Sequence, residues 1–193
     1  MKEKITAYMN AHREELVRDV CRLVRIKSDR GEAKEGAPFG EGPLRALNDA
    51  MELTRGMGFA VTNYDNYVMT ADLGGEEPGL DILAHLDVVP VSDSWTVTQP
   101  FEPLVLDGRI YGRGTADDKG PAVAALYAMK AVKDLGIPLK KRGAAPAGVR
   151  GRGHQAQRGA GQVLCPGGGH GRRGAFRVLP EGRGGDRRGL YRF

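Results

Sequence analysis

Cysteine is nearly absent from this 193-residue sequence. The two present, Cys21 and Cys165, lie far apart, which excludes a disulfide framework and a cysteine zinc cluster. Long apolar runs are missing as well. No stretch approaches the roughly 20 residues of a membrane span. Charges recur from Met1 to Val24, so no apolar leader stands there. These absences set the expectation of a soluble, cytoplasmic protein without a membrane partner.

A third shortage is local. From Gly143 to Phe193 there is no lysine and only two acids, Glu181 and Asp186, against ten arginines and fifteen glycines. Positions 1–142 hold 19 basic and 22 acidic residues, so the net charge of +5 belongs to the final segment alone. Overall basicity therefore gives the body no nucleic-acid argument. Arg-Gly segments can bind single strands through charge and stacking. This one has few aromatics (Phe176, Tyr191, Phe193) and no repeated unit, so nucleic acid is not the expected partner. Apolar periodicity also stops there, leaving too little apolar surface to offset the entropy of ordering. The expected organisation is a packed domain over 1–142 and a disordered Gly/Arg-rich tail over 143–193.

Within 1–142 the patterning is regular. Ile5, Met9, His12, Leu16, Val20 and Leu23 recur at helical steps and predict one opening amphipathic helix. Ser28 to Pro43 holds four glycines and two prolines and reads as a loop. Pro43 suits the first turn of a second helix, with Leu44, Leu47, Met51 and Leu53 on its apolar side and Gly56 or Gly58 at its end. Short strands are predicted at Ala60-Val61-Thr62 and Tyr67-Val68-Met69-Thr70, around a turn of Asn63-Tyr64-Asp65-Asn66. Leu80 to Ala84 is a further strand-length run. Leu104 to Tyr111 centres on Asp107-Gly108, which fits a tight primed hairpin turn. Pro121 to Leu135 carries the clearest helical spacing, closed by Gly136. Strands interleaved with helices predict an α/β layered domain.

Two clusters can carry chemistry. His85-Leu86-Asp87 follows a strand, and residues i and i+2 of an extended segment point to the same side. A neutral imidazole can bind a metal there while the aspartate ligates, orients or tunes it. Alone the triplet is weak, because a strand-end histidine beside a solvated aspartate has the same sequence. Gly112 to Pro121 is the second cluster, placing Asp117 and Asp118 in a glycine-rich loop before a helix. Asp118 reads as the helix cap. Asp117 is either an inward-facing ligand or a further acid at the helix start.

In order along the chain stand His85-Leu86-Asp87-Val88-Val89-Pro90, Trp95, Gln99-Pro100-Phe101 and Gly108 to Pro121 with its Ala116-Asp117-Asp118-Lys119-Gly120. This succession resembles the two-metal metallopeptidase family of aminoacylases, carboxypeptidase G, succinyl-diaminopimelate desuccinylase and bacterial dipeptidases. Gly36 to Pro43 and Asn63 to Tyr67 are similar to its PepV/Sapep-type dipeptidase branch, and the likeness covers about 5–142. It implies the first part of a zinc-peptidase-like α/β catalytic domain, a sheet flanked by helices, incomplete here. It implies two divalent ions, zinc or manganese, and a small peptide substrate. By the same resemblance His85 matches a metal ligand, Asp117 the carboxylate bridging both metals, and Asp87 the aspartate supporting the first ligand and the general base. Lys119 is expected to pair with a neighbouring acid, and Trp95, Phe101, Arg109, Arg113, Tyr127 and Met129 to serve packing or solvation.

The family pattern continues past Lys140-Lys141 with a strand and a Glu-Glu pair holding the general base, then a late histidine ligand. No such pair follows here, and His154 and His170 lie in Gly/Arg-rich sequence. A reading-frame shift near Arg142 accounts for this, since codons for Gly, Arg and Ala begin GG, CG and GC and conceal Glu and Asp codons in another frame. The coding DNA tests the idea. The expected function is dipeptide hydrolysis by family, with this chain a truncated, inactive fragment. Deacylation of N-acyl amino acids is the alternative within the family, and an Arg/Gly nucleic-acid appendage the alternative outside it.

Overall fold

The computed structural model describes residues 1–74, 78–92, 94–139 and 141–148. The opening periodicity folds as two helices, α1 (Lys2–Ala11) and α2 (Arg13–Val24), rather than the single one predicted. They meet at His12, whose backbone leaves helical geometry and whose Nδ1 lies 2.8 Å from the Tyr8 carbonyl. Side-chain spacing cannot reveal this break, because both halves keep the same stripe. Burial separates them: α2 buries Leu16, Val20, Leu23 and Val24, whereas α1 buries none.

Helix α3 (Glu41–Gly56) begins two residues before Pro43, which still falls in the first turn where a missing N–H costs nothing. Strands β1 (Val61–Tyr64) and β2 (Val68–Leu73) form the expected hairpin, with Asp65 and Asn66 at φ 50° and 60° in its turn. The Leu80–Ala84 run divides into β3 (Pro78–Asp81) and β4 (Ala84–His85). A second hairpin, β5 (Leu104–Leu106) and β6 (Arg109–Tyr111), turns at Asp107-Gly108 as predicted. Helix α4 (Lys119–Asp134) starts two residues before Pro121.

The last described strand, β7 (Arg142–Gly148), organises the main sheet. Its order is β1-β2-β7-β3, with β4 also beside β7. β7 runs antiparallel to β2 and parallel to β3 and β4, and α4 is the crossover that a parallel pair requires. The boundary expected after Arg142 therefore passes through a strand, and 143–148 are not a disordered tail. Their Gly, Ala and Pro carry no strand pattern; pairing on both sides is made by the backbone, which composition does not display. The rest of the expected tail, 149–193, lies outside the described residues.

Helices α3 and α4 pack on this sheet, α3 against β1 and β2, α4 against β4 and β7, with α2 touching both helices. Their shared core includes Leu23, Leu47, Met69, Leu86, Ile110 and Val123, all at 1% exposure or less. The α/β reading holds: a sheet covered by helices, with His85 and the start of α4 at one end of the parallel strands.

Candidate metal centre

His85 closes β4, and the chain beyond it is held tightly. Ala84 and Leu86 are buried in the core, so the intervening His85 turns the other way and is half-buried. Ser28, fully buried, donates its hydroxyl to the Leu86 carbonyl at 2.7 Å, and its own carbonyl accepts the Val88 N–H at 3.1 Å. The triplet is thus fixed against the residues that follow α2.

The second cluster forms a closed loop. Lys119 and Gly120 both donate backbone N–H groups to the Gly114 carbonyl, at 2.9 and 3.3 Å, and Thr115 Oγ1 donates to the Gly112 carbonyl at 2.9 Å. A Cβ on Gly120 would stand 2.0 Å from the Thr115 carbonyl oxygen, so only glycine permits this closure. The Asp117–Asp118 peptide bond is cis.

The fold brings the two clusters together, 32 residues apart in sequence. His85 Nε2 lies 2.9 Å from Asp117 Oδ1. On the opposite ring edge, Nδ1 is 3.0 Å from the Asp87 carbonyl and 3.5 Å from its carboxylate. Asp87 therefore holds the ring from behind and does not share the outward edge with Asp117. Asp87 is buried, while the Asp117 side chain is 76% exposed. Burial alone would lower the His85 pKa, but the hydrogen bond and charge of Asp87 outweigh it and raise it to about 8.

Asp118 occupies the cap position of α4, yet its side chain makes no capping bond there. Its Oδ2 instead accepts the His85 backbone N–H at 3.2 Å. Lys119, expected to pair with a neighbouring acid, has the charge of Asp87 close by and backbone partners as well. Its ammonium, fully buried, donates to the carbonyls of Leu23 at 2.9 Å and Ile26 at 2.6 Å. Burial lowers its pKa to about 7, and the nearby charge of Asp87 opposes that. Arg113 lies over the Trp95 ring at 5.5 Å, a cation–π contact consistent with packing. Sequence reasoning missed Ser28, for which no signal existed. It did not foresee the carbonyl partners of Lys119, although a cation in a helix's first turn, where the dipole disfavours it, was a usable signal.

Two metal donors about 2.0–2.1 Å from a tetrahedral ion stand about 3.3 Å apart. The 2.9 Å pair of His85 Nε2 and Asp117 Oδ1 fits one edge of such a site. Among the described residues no group of three or more His, Cys, Asp or Glu side chains is placed to hold an ion.

Residues 82–143, which contain this whole arrangement, match the model of peptidase family M20/M25/M40. The chain carries an M20-type peptidase segment. Residues of the chain are 43% identical over 132 positions to a Bacillus subtilis (strain 168) protein named "Putative dipeptidase YtjP", covering 67% of this chain and 28% of that protein. A Staphylococcus aureus (strain USA300) protein, also named a "Putative dipeptidase", is 40% identical over 143 residues, 73% of this chain and 29% of its own. The chain thus spans under a third of the length of these relatives. Human carnosine dipeptidase 1 superposes with TM-score 0.65 at 26% identity over 77% of this chain and 34% of its own. Dug1p, a di-peptidase from Saccharomyces cerevisiae, shares the fold at TM-score 0.63 and 17% identity, covering 76% of this chain and 34% of its own. The fold is similar to the N-terminal part of these peptidases' fold.

Proposed function

We propose that this chain supplies the first metal-binding portion of a two-metal dipeptidase, and that His85 and Asp117 hold the metal while Asp87 orients His85. The observation that carries the reading is the convergence of His85 Nε2 and Asp117 Oδ1 at 2.9 Å, with Asp87 behind the ring. Asp87 keeps the proton on Nδ1, which leaves the Nε2 lone pair for a metal. Asp117 sits at the open end of the loop with a carboxylate free to reach a second ion. A divalent zinc or manganese ion bound there would make a water nucleophilic at neutral pH and polarise a scissile carbonyl. The names of the relatives support a dipeptide as substrate, and the absence of a long apolar helix among the described residues fits a peptidase outside the bilayer. A cytoplasmic setting follows as part of the same reading.

Positions 1–193 supply no glutamate pair after Lys141 for proton transfer and for completing the second metal shell. These residues on their own are accordingly inactive. The Arg/Gly appendage lies outside the described residues, and nothing in the site calls for it.

Calorimetric titration of the chain with zinc tests the reading. One zinc ion bound, with binding lost in His85→Ala and in Asp117→Asn, is the expected outcome; no binding at all would sink it. A panel of dipeptides and N-acetylated amino acids, assayed with zinc or manganese, separates the substrates. Turnover of dipeptides by the 193 residues would contradict inactivity, and turnover of the acylated compounds alone would favour the deacylase.

A further inference from the structure

The two halves of the candidate centre meet directly at two points, His85 Nε2 with Asp117 and the His85 backbone N–H with Asp118. Asp117 is exposed, and His85 stands at the end of a two-residue strand. Both halves lean on a third element, the six residues from Leu23 to Ser28 that close α2.

Lys119 provides one tie. It is the first residue of α4, a position where a cation opposes the helix dipole, and α4 has no acid in its first turn. Its ammonium is removed from water and reaches the end of α2 instead, where the helix dipole favours a positive charge and the Leu23 carbonyl also accepts the Ile26 N–H at 3.1 Å. It donates there to Leu23 and Ile26. The closed loop joining Gly114 to Gly120 makes Lys119 and Asp117 move together. Ser28 provides the other tie, by clasping Leu86 and Val88 on either side of Asp87.

We propose that Leu23–Ser28 is a bracket that sets the spacing between His85 and Asp117, with Lys119 and Ser28 as its two positioning residues. This rests on the metal-centre reading for its purpose, but not for its geometry, which exists without a metal. Both residues are fully buried and would not touch substrate; they act through the residues they hold. Partners that orient metal ligands from behind change metal affinity by about 10–100-fold when removed.

The test uses the whole 193-residue chain with nitrogen-15-labelled histidine. The signals of His85 are picked out from the chain's 4 histidines by their loss in His85→Gln. Lys119→Met keeps the length of the side chain and removes its donors; Ser28→Ala removes one hydroxyl. Each is expected to shift the His85 ring signals of the metal-free protein, and Lys119→Met to weaken zinc binding about tenfold. Leu47→Ala, in the core on α3, destabilises the fold while leaving those signals in place, so a general loss of stability does not imitate the effect. Unmoved His85 signals in folded Lys119→Met overturn the bracket; if that variant does not fold, unmoved signals in Ser28→Ala overturn it. Shifted signals in a chain that binds no zinc at all uphold the bracket and reject the metal reading.

Discussion

Single residues in this chain are placed by what they reach, and Lys119 at the start of α4 and Tyr127 at its middle show it. Tyr127, expected to pack, is 2% exposed and also donates its hydroxyl to Asp19 on α2 at 2.7 Å. Burial first, then the Asp19 hydrogen bond, push the phenol above its ordinary value of 10. A folded pKa above the unfolded one means the folded state holds the proton longer. The stabilisation is therefore complete below pH 10 and is lost as pH rises beyond it. The Tyr127 contribution, read as the difference in urea midpoint between the protein and Tyr127→Phe from pH 7 to 11, should fall only above pH 10. Tyr127→Phe should cost about 1 kcal/mol at pH 7. His85 and Asp117 were legible as candidates because their residue types and neighbours carry the chemistry. The placement of Asp87 on the far ring edge was not, since alternation along a strand assigns a side and no contact.

Elements follow local pattern wherever local forces decide them. The β5–β6 hairpin forms where Asp107 at φ 52° and Gly108 at φ 71° turn the chain, as an Asp-Gly pair should. The helical stripes of α3 and α4 were readable because burial of Leu47, Met51, Leu126 and Met129 repeats with the helical period. The loop from Gly112 to Gly120 is the element on which the candidate centre depends most. Gly120→Ala sets a methyl group against the Thr115 carbonyl, so the loop must open. An expected loss of about 1–3 kcal/mol in urea unfolding should accompany weakened zinc binding. Unchanged stability and affinity would show that the loop closes in another way. The break at His12 escaped prediction because helical spacing runs through it without a change of phase, and the division of β3 from β4 escaped because no glycine or proline marks it within Leu80–Ala84.

For the whole molecule the strand β7 matters most, because it joins the β1–β2 hairpin to β3 and β4. Pro146, paired with Thr70 on one side, stands level with the interruption between β3 and β4, where a residue without an N–H loses least. A chain ending at 142 should melt at least about 4 °C below one ending at 148, the shift corresponding to roughly 1 kcal/mol in a domain of this size. Equal melting by circular dichroism would show that β7 contributes nothing. The apolar residues Leu80 and Leu83, each 55% exposed beside it, are surface that this sheet leaves uncovered. The sequence by itself determined the α/β class, the helical stripes, the hairpin turns and the residue types of the centre, because periodicity and turn chemistry are local. Only the tertiary structure decided that a Gly/Ala/Pro segment lies inside the sheet and that Lys119 ends on the carbonyls of α2. It alone decided that His85 faces Asp117 across 32 residues. Backbone pairing and the direction of a buried side chain depend on neighbours distant in sequence, and no local pattern encodes them.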